Sequence, residues 1–420
     1  MSPQELKLEN TLPAGQSFRW CRRSSARGWV GVCSRRMYAL CQEESSQSLH
    51  WKVLARARDA RPERDEHTLL STLSLRSVDP SLVSLHSLFE QHDKRYRRIR
   101  PFLEGARVMR QDALETLLAF ICSSNNNIAR ISQLVESLCV EYGDSLDLVE
   151  EPEELESARA DAETPSLRAF PRFETLHRSV DEHRLRDKHF GYRAKYIFET
   201  VHTLAQKMES NNDEHGGAES DTSTASRSDS AISPEEWLHR LRDEYSYKDA
   251  HAELAQLPGV GPKVASCICL FALNKPQAIP VDTHVWRIAQ QHYKFKPTNK
   301  SLTPKAMEQV EESMRAVFGE YCGWALNVLF AAELARYRDL LPKHLQTARV
   351  GQSSSSSPSE EGDDEAEDQS DDKGKVTSQD AAHELAETHA AESKHMTRSV
   401  RVGTPVPKKR KRKRDKEDEG

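Results

Sequence analysis

The residues best suited to do chemistry lie within residues 257–284, LPGVGPKVASCICLFALNKPQAIPVDTH. Two glycines and two prolines fall between Leu257 and Lys263, so this part cannot be helix interior. Pro262 suits the first position of a helix, where its missing N–H is no loss. Lys263 then stands in the first turn of an apolar helix. Desolvation and the positive end of the helix dipole both disfavour an ammonium there, which favours a free, nucleophilic amine. Further on, Asp282 either caps the next helix or faces Lys263 as a carboxylate. Taken singly, each residue also has an ordinary reading, as a solvated helix lysine and an N-cap aspartate. The turn of Gly259, Val260 and Gly261, opening onto a helix N-terminus, offers backbone N–H groups to an anion, with phosphate the natural candidate.

Elements on either side must position that stretch. Residues 11–100 carry short aromatic and β-branched runs separated by polar turns, which predicts antiparallel strands around residues 17–20, 28–32, 37–40 and 51–54. Residues 81–91 follow as a helix. The basic run HDKRYRRIR, residues 92–100, is either a solvated helix face or a phosphate contact. From Gln111 the pattern turns helical, with Asp112 as cap and Leu114, Leu117, Leu118 and Ile121 at helical spacing. Asn125, Asn126 and Asn127 break it before a second helix with Ile128, Ile131, Leu134, Val135 and Leu138 on one face. Residues 150–163 are acidic and read as a loop or surface helix. Residues 190–196 read as a loop entering a helix, with an exposed Tyr192 beside Arg193. An insertion at about 209–232, rich in Ser, Asp and Gly, is expected to be disordered. Ser233 and Pro234 restart a helix. Residues 304–317 and 323–336 complete the helical part.

The 420 residues suffice for two or three domains: 1–105 as a β domain, 106–350 helical, and 351–420 as a low-complexity tail. The net charge of −6 argues against a uniformly basic DNA binder, but much of the acidic excess sits in the tail and the insertion. Eight scattered cysteines show no zinc spacing and no four-cysteine cluster array, and read as thiols in a reducing compartment. No signal or transit peptide and no membrane span is visible. The run KKRKRKR, from Lys408 to its end at Arg414, reads as a nuclear localisation signal for an import receptor, placing the protein in the nucleus.

Five blocks in order sharpen the reading: PAGQSFRW from Pro13, CSSNNNIAR from Cys122, GYRA from Gly191, the hairpin with Lys263 and Asp282, and GWA from Gly323. Together they resemble eukaryotic-type 8-oxoguanine DNA glycosylases of the helix-hairpin-helix superfamily, over residues 5–336. The resemblance implies an α+β fold, with an N-terminal antiparallel β-sheet domain, two mostly helical subdomains carrying the helix-hairpin-helix, and a disordered tail. It implies a bifunctional glycosylase and lyase in base excision repair, with Lys263 as nucleophile and Asp282 beside it. In that frame Tyr192 and Asn125 fill the gap left by a flipped nucleotide. Arg130 and Arg193 engage the opposite base, cytosine, and His284 contacts phosphate. The Gly15 carbonyl would accept the N7–H that marks the lesion, Cys267 and Phe330 would frame the base, and the backbone at Pro280 would help hold it. No small-molecule cofactor is implied and no metal in the site, although the hairpin carbonyls could hold a structural cation. The expected state is a monomer.

One departure stands out. The family usually places Gln at position 326 to meet the base's pairing edge, and here it is Leu326. A helix turns about 100° per residue, so Asn327 is expected to point elsewhere. Weaker or broader selectivity follows, reaching to ring-opened guanine, with Leu326→Gln as its test. Two competing readings remain: a helix-hairpin-helix glycosylase for another damaged base, and a non-catalytic DNA-binding module that needs neither Lys263 nor Asp282.

Overall fold

The computed structural model describes residues 2–23, 28–43, 48–76, 79–149, 164–213, 232–296 and 302–348. The chain divides into a unit of residues 1–348 and a second of residues 349–420. The second unit, with its basic run, lies outside the described residues, as do residues 150–163 and 214–231.

Alternating side chains build a five-stranded antiparallel sheet in sequence order: β1 (Trp20–Arg22), β2 (Trp29–Cys33), β3 (Arg36–Glu43), β4 (Ser48–Arg56) and β5 (Asp147–Leu148). Successive residues of a strand face opposite sides. Trp29, Tyr38 and Leu40 pack on one face with Leu69 and Leu73, while Val30, Val32 and Met37 pack on the other with Leu146 and Ala169. Both faces are covered, which is why every residue of β2 is buried. The last strand comes from beyond residue 105, so the sheet is not confined to the segment assigned to it from sequence. A two-residue strand carries no period that a sequence could display.

The helices that matter for the site are α1 (Leu82–His92), α2 (Lys94–Ile99), α3 (Ala113–Cys122), α4 (Ile128–Tyr142), α5 (Arg193–Asp213), α6 (Pro234–Asp243), α7 (Tyr247–Leu254), α8 (Pro262–Phe271), α9 (Thr283–His292), α10 (Pro304–Phe318) and α11 (Cys322–Ala331). Several of these starts are fixed by side-chain caps: Ser81, Asp112, Asn127, Ser233, Asp282 and Thr303 each accept a backbone N–H of the first turn. Two boundaries differ from the expectation. The helix α5 runs on to Asp213, past the start assigned to the insertion. The predicted helix 323–336 instead ends at Ala331, and a separate turn forms at Ala335–Arg338. The break lets buried Glu333 meet Arg338 and the Thr347 hydroxyl. The basic run is largely committed within the fold: Arg100 pairs with Glu90 at 2.7 Å, and Arg97 donates to the Glu90 carbonyl.

At the centre lies α8. From Val264 to Phe271 every residue is buried, so this helix is apolar all round, as a central helix must be. Its one charged side chain, Lys263, stands at its entrance.

Candidate active site

Lys263 is half-buried. Its Nζ donates to Ser123 Oγ at 3.2 Å and lies 5.2 Å from the centre of the Phe120 ring. Ser123 Oγ itself donates to the Phe120 carbonyl at 2.7 Å, so a lone pair of the hydroxyl faces the amine. The start of α9 supplies Asp282, whose Oδ1 accepts from the N–H groups of His284 at 2.8 Å and Val285 at 2.9 Å. The two readings of this aspartate are therefore compatible: it caps α9 through one oxygen and also lines the same cleft as Lys263.

That cleft, with the open solvent at its mouth, takes in about 450 Å³. Gly15, Cys267, Pro280, Leu326 and Phe330, the residues expected to frame a base, all line it. Gly15 has φ of 78°, the left-handed region that disfavours side chains, and a Cβ there would come within 3.1 Å of Ile128 Cδ1. Its loop is fixed by buried Gln16, which donates from Nε2 to the carbonyls of Thr11 and Arg107 and accepts from the Met109 N–H, each at 2.9 Å. Burial pushes the Cys267 thiol up to about 11, against the opposing pull of the Lys263 amine, so it stays a neutral packing group at neutral pH. Asn327 lines the cleft too, contrary to the expectation that the helix turn carries it away. Gly323, Leu326, Asn327 and Phe330 fall at i, i+3, i+4 and i+7, which is one broad helix face rather than two.

A wider groove of about 1850 Å³ continues from the cleft past Ser123, the three asparagines, Gly261 and His284. The hairpin borders it. Gly259 has φ of 75°, and Thr200 Oγ1 donates to the Pro258 carbonyl at 2.7 Å, tying the turn to α5. Val260, expected among the phosphate donors, is buried, and its N–H donates to the Leu257 carbonyl at 3.1 Å within the turn. Gly261 is exposed at the head of α8 with no side-chain cap, leaving the first-turn N–H groups of Lys263 and Val264 for an outside acceptor. His284 Nδ1 accepts from Arg287 Nη2 at 2.8 Å. A guanidinium can only donate, so the imidazole proton lies on Nε2.

Across the groove, Tyr192 is exposed and its hydroxyl donates to the Ser124 carbonyl at 2.8 Å. Asn125 is exposed with φ of 50°, and exposed Arg130 donates to the His189 carbonyl at 3.1 Å. Arg193, expected by resemblance to engage the opposite base, is held inside the fold. It is only 6% exposed and donates to the carbonyls of Ser124, Asn125 and Phe190. Its guanidinium braces the asparagine loop from beneath. Among the described residues, no group of three or more His, Cys, Asp or Glu could hold a metal, and no helix is long and apolar enough to cross a membrane.

Comparison with known proteins fits this geometry. Residues 1–117 match the N-terminal domain of 8-oxoguanine DNA glycosylases, and residues 118–314 match the HhH-GPD superfamily of base excision DNA repair proteins. The chain is 38% identical to the N-glycosylase/DNA lyase OGG1 of Arabidopsis thaliana over 345 residues, 81% of each chain. It belongs to the 8-oxoguanine DNA glycosylase family. An N-glycosylase/DNA lyase of Saccharomyces cerevisiae is 29% identical over 80% of this chain and 85% of that one. The 8-oxoguanine glycosylase/lyase of Clostridium acetobutylicum shares the fold, with a TM-score of 0.57 at 22% identity, covering 78% of this chain and 93% of that one.

Within this glycosylase, several contributors carried no signal of their own in the sequence. Phe120 on α3 and Ser123 just past its end reach Lys263, 140 positions away for Ser123, and Gln16 looks like any polar loop residue. A buried glutamine that satisfies three backbone groups becomes visible only when the segments it joins are seen together.

Proposed function

We propose that the chain excises 8-oxoguanine opposite cytosine from double-stranded DNA and then cleaves the strand, with Lys263 as the nucleophile and Asp282 as its partner. The observation that carries this is the convergence of Lys263 and Asp282, from the starts of two different helices, on one cleft beside a groove bordered by a helix start that no side chain caps.

The bond between base and C1′ cannot be reached inside a stacked duplex, so the nucleotide must swing out, at a cost of a few kcal/mol. N–H groups at Gly261, Lys263 and Val264 hold a backbone phosphate, joined by the Nε2 proton of His284. Tyr192 and Asn125 occupy the space vacated in the duplex, Arg130 meets the estranged cytosine, and Arg193 holds their loop in shape. In the cleft, Phe330 offers a ring face to the base, and the Gly15 carbonyl accepts the N7–H of the lesion while repelling the N7 lone pair of guanine.

The C1′–N9 bond breaks as its electron pair leaves with the base, and Asp282 stabilises the cationic sugar. The amine of Lys263 bonds to C1′, one of its protons passes to O4′ as the C1′–O4′ bond breaks, and the sugar opens to a protonated imine. That imine acidifies the C2′ proton. Its removal expels the 3′ phosphate, and water releases the cleaved strand from the lysine. No step calls for a cofactor. The basic run at residues 408–414 is proposed to carry the enzyme into the nucleus.

Duplexes with 8-oxoguanine opposite each of the four bases, incubated with the protein and resolved on a denaturing gel, test the reading. Strand cleavage should be strongest opposite cytosine. Lys263→Gln should abolish the adduct trapped by borohydride while duplex binding persists, and trapping that persists refutes the nucleophile assignment. Intact duplexes with all four partners would refute the enzyme reading.

A further inference from the structure

The cleft contains a polar group that the proposed chemistry leaves unused. Asn327 on α11 is 5% exposed, and its Nδ2 is buried without a hydrogen-bond acceptor among the described residues. Buried donors are nearly always paired, because an unpaired one forfeits the hydrogen bonds that water would supply. The rest of α11 is apolar, and Asn327 lies among Lys263, Asp282 and Phe330 on the cleft wall. It precedes Phe330 by three positions, so the amide and the ring share one helix face.

We propose that Asn327 is a specificity-determining residue whose side-chain amide binds the pairing edge of the extruded purine. This rests on the function proposed above. A guanine-type base offers O6 as an acceptor and N1–H as a donor on that edge. A carboxamide offers the complementary pair, Nδ2–H and Oδ1, in one plane. A turn of the amide about its last side-chain bond brings Nδ2 to the cleft, where the O6 of a base lying against Phe330 gives it the acceptor the chain does not provide. Broadened selectivity therefore does not follow from Leu326 alone, because a neighbouring residue on the same face supplies the amide.

The test compares wild type, Asn327→Ala and the near-isosteric Asn327→Leu. Single-turnover excision opposite cytosine is measured on 8-oxoguanine and on 8-oxo-2-aminopurine, which lacks both O6 and the N1 proton. Both variants should lose roughly tenfold in rate on 8-oxoguanine and nothing on the second base. Their melting temperatures should equal or exceed that of wild type, since an unpaired buried amide has been removed. Equal losses on both bases, no loss on either, or a lowered melting temperature in both variants would overturn the assignment. If wild type cleaves neither duplex, the function itself falls. If wild type cleaves 8-oxoguanine and the variants fail to discriminate, only the role of Asn327 falls.

Discussion

Replacing Gly259 with alanine should loosen the hairpin, and the structure sets the size of the effect. At φ of 75°, an alanine costs about 1–2 kcal/mol in backbone strain. Its Cβ would stand 2.7 Å from both Cβ and Cγ of Tyr196, atoms close to the α5 backbone that cannot swing aside. Overpacking of that kind costs about 1–3 kcal/mol more. Relief by separation would break the bond from Thr200 to the Pro258 carbonyl. The sum is about 2–5 kcal/mol, and for a unit of this size unfolding entropy is roughly 0.7 kcal/mol/K, so Tm should fall by about 3–7 °C. Gly261→Ala is the control. Its φ is −84°, nothing lies within 4 Å of a built Cβ, and the N–H is kept, so stability should stay within about 0.5 kcal/mol. Thermal melting and fluorescence anisotropy with an abasic duplex read both variants. Gly259→Ala should bind roughly tenfold more weakly. A Gly259→Ala protein that melts with wild type, or a Gly261→Ala protein that falls equally far, would refute the argument.

Arg193→Ala removes the brace under the asparagine loop and should cost about 1.5–3 kcal/mol, seen as a lowered Tm. If Arg193 instead reads the base directly, preference for cytosine will relax at unchanged Tm. Glu311 accepts from the Tyr247 hydroxyl at 3.0 Å, and burial pushes its carboxyl up to about 7. A raised carboxyl stabilises the fold fully below its unfolded value of about 4.5, and that contribution is lost as pH rises through about 7. Denaturant melts of Glu311→Gln should thus show a flatter fall in stability between those pH values than wild type. Parallel pH profiles would contradict the burial argument.

The parts legible in the sequence are those whose physics is local. Asp112, Asn127, Ser233 and Thr303 announce helix starts because a cap and its first turn lie within four residues. The apolar stripe of α4 is equally local. The functional meaning of Lys263 and Asp282 was not local, and came from resemblance, since each alone is an ordinary helix-end residue. A turn of about 100° per residue misleads at Asn327, because a cleft-facing helix surface is wide enough for positions 326 and 327 both. The burial of Arg193 is not local either, since only the carbonyls of a loop distant in sequence explain it. The strand β5 was too short to signal its place in the sheet.

The central claim is that one amine, on Lys263, captures the sugar of the damaged nucleotide. Borohydride trapping of wild-type protein on an 8-oxoguanine duplex, followed by nuclease digestion and peptide mass spectrometry, tests it most directly. The sugar adduct should lie on the peptide containing Lys263, with fragment ions placing it on that side chain. An adduct on another lysine or on the N-terminal amine, with Lys263 unmodified, would contradict it.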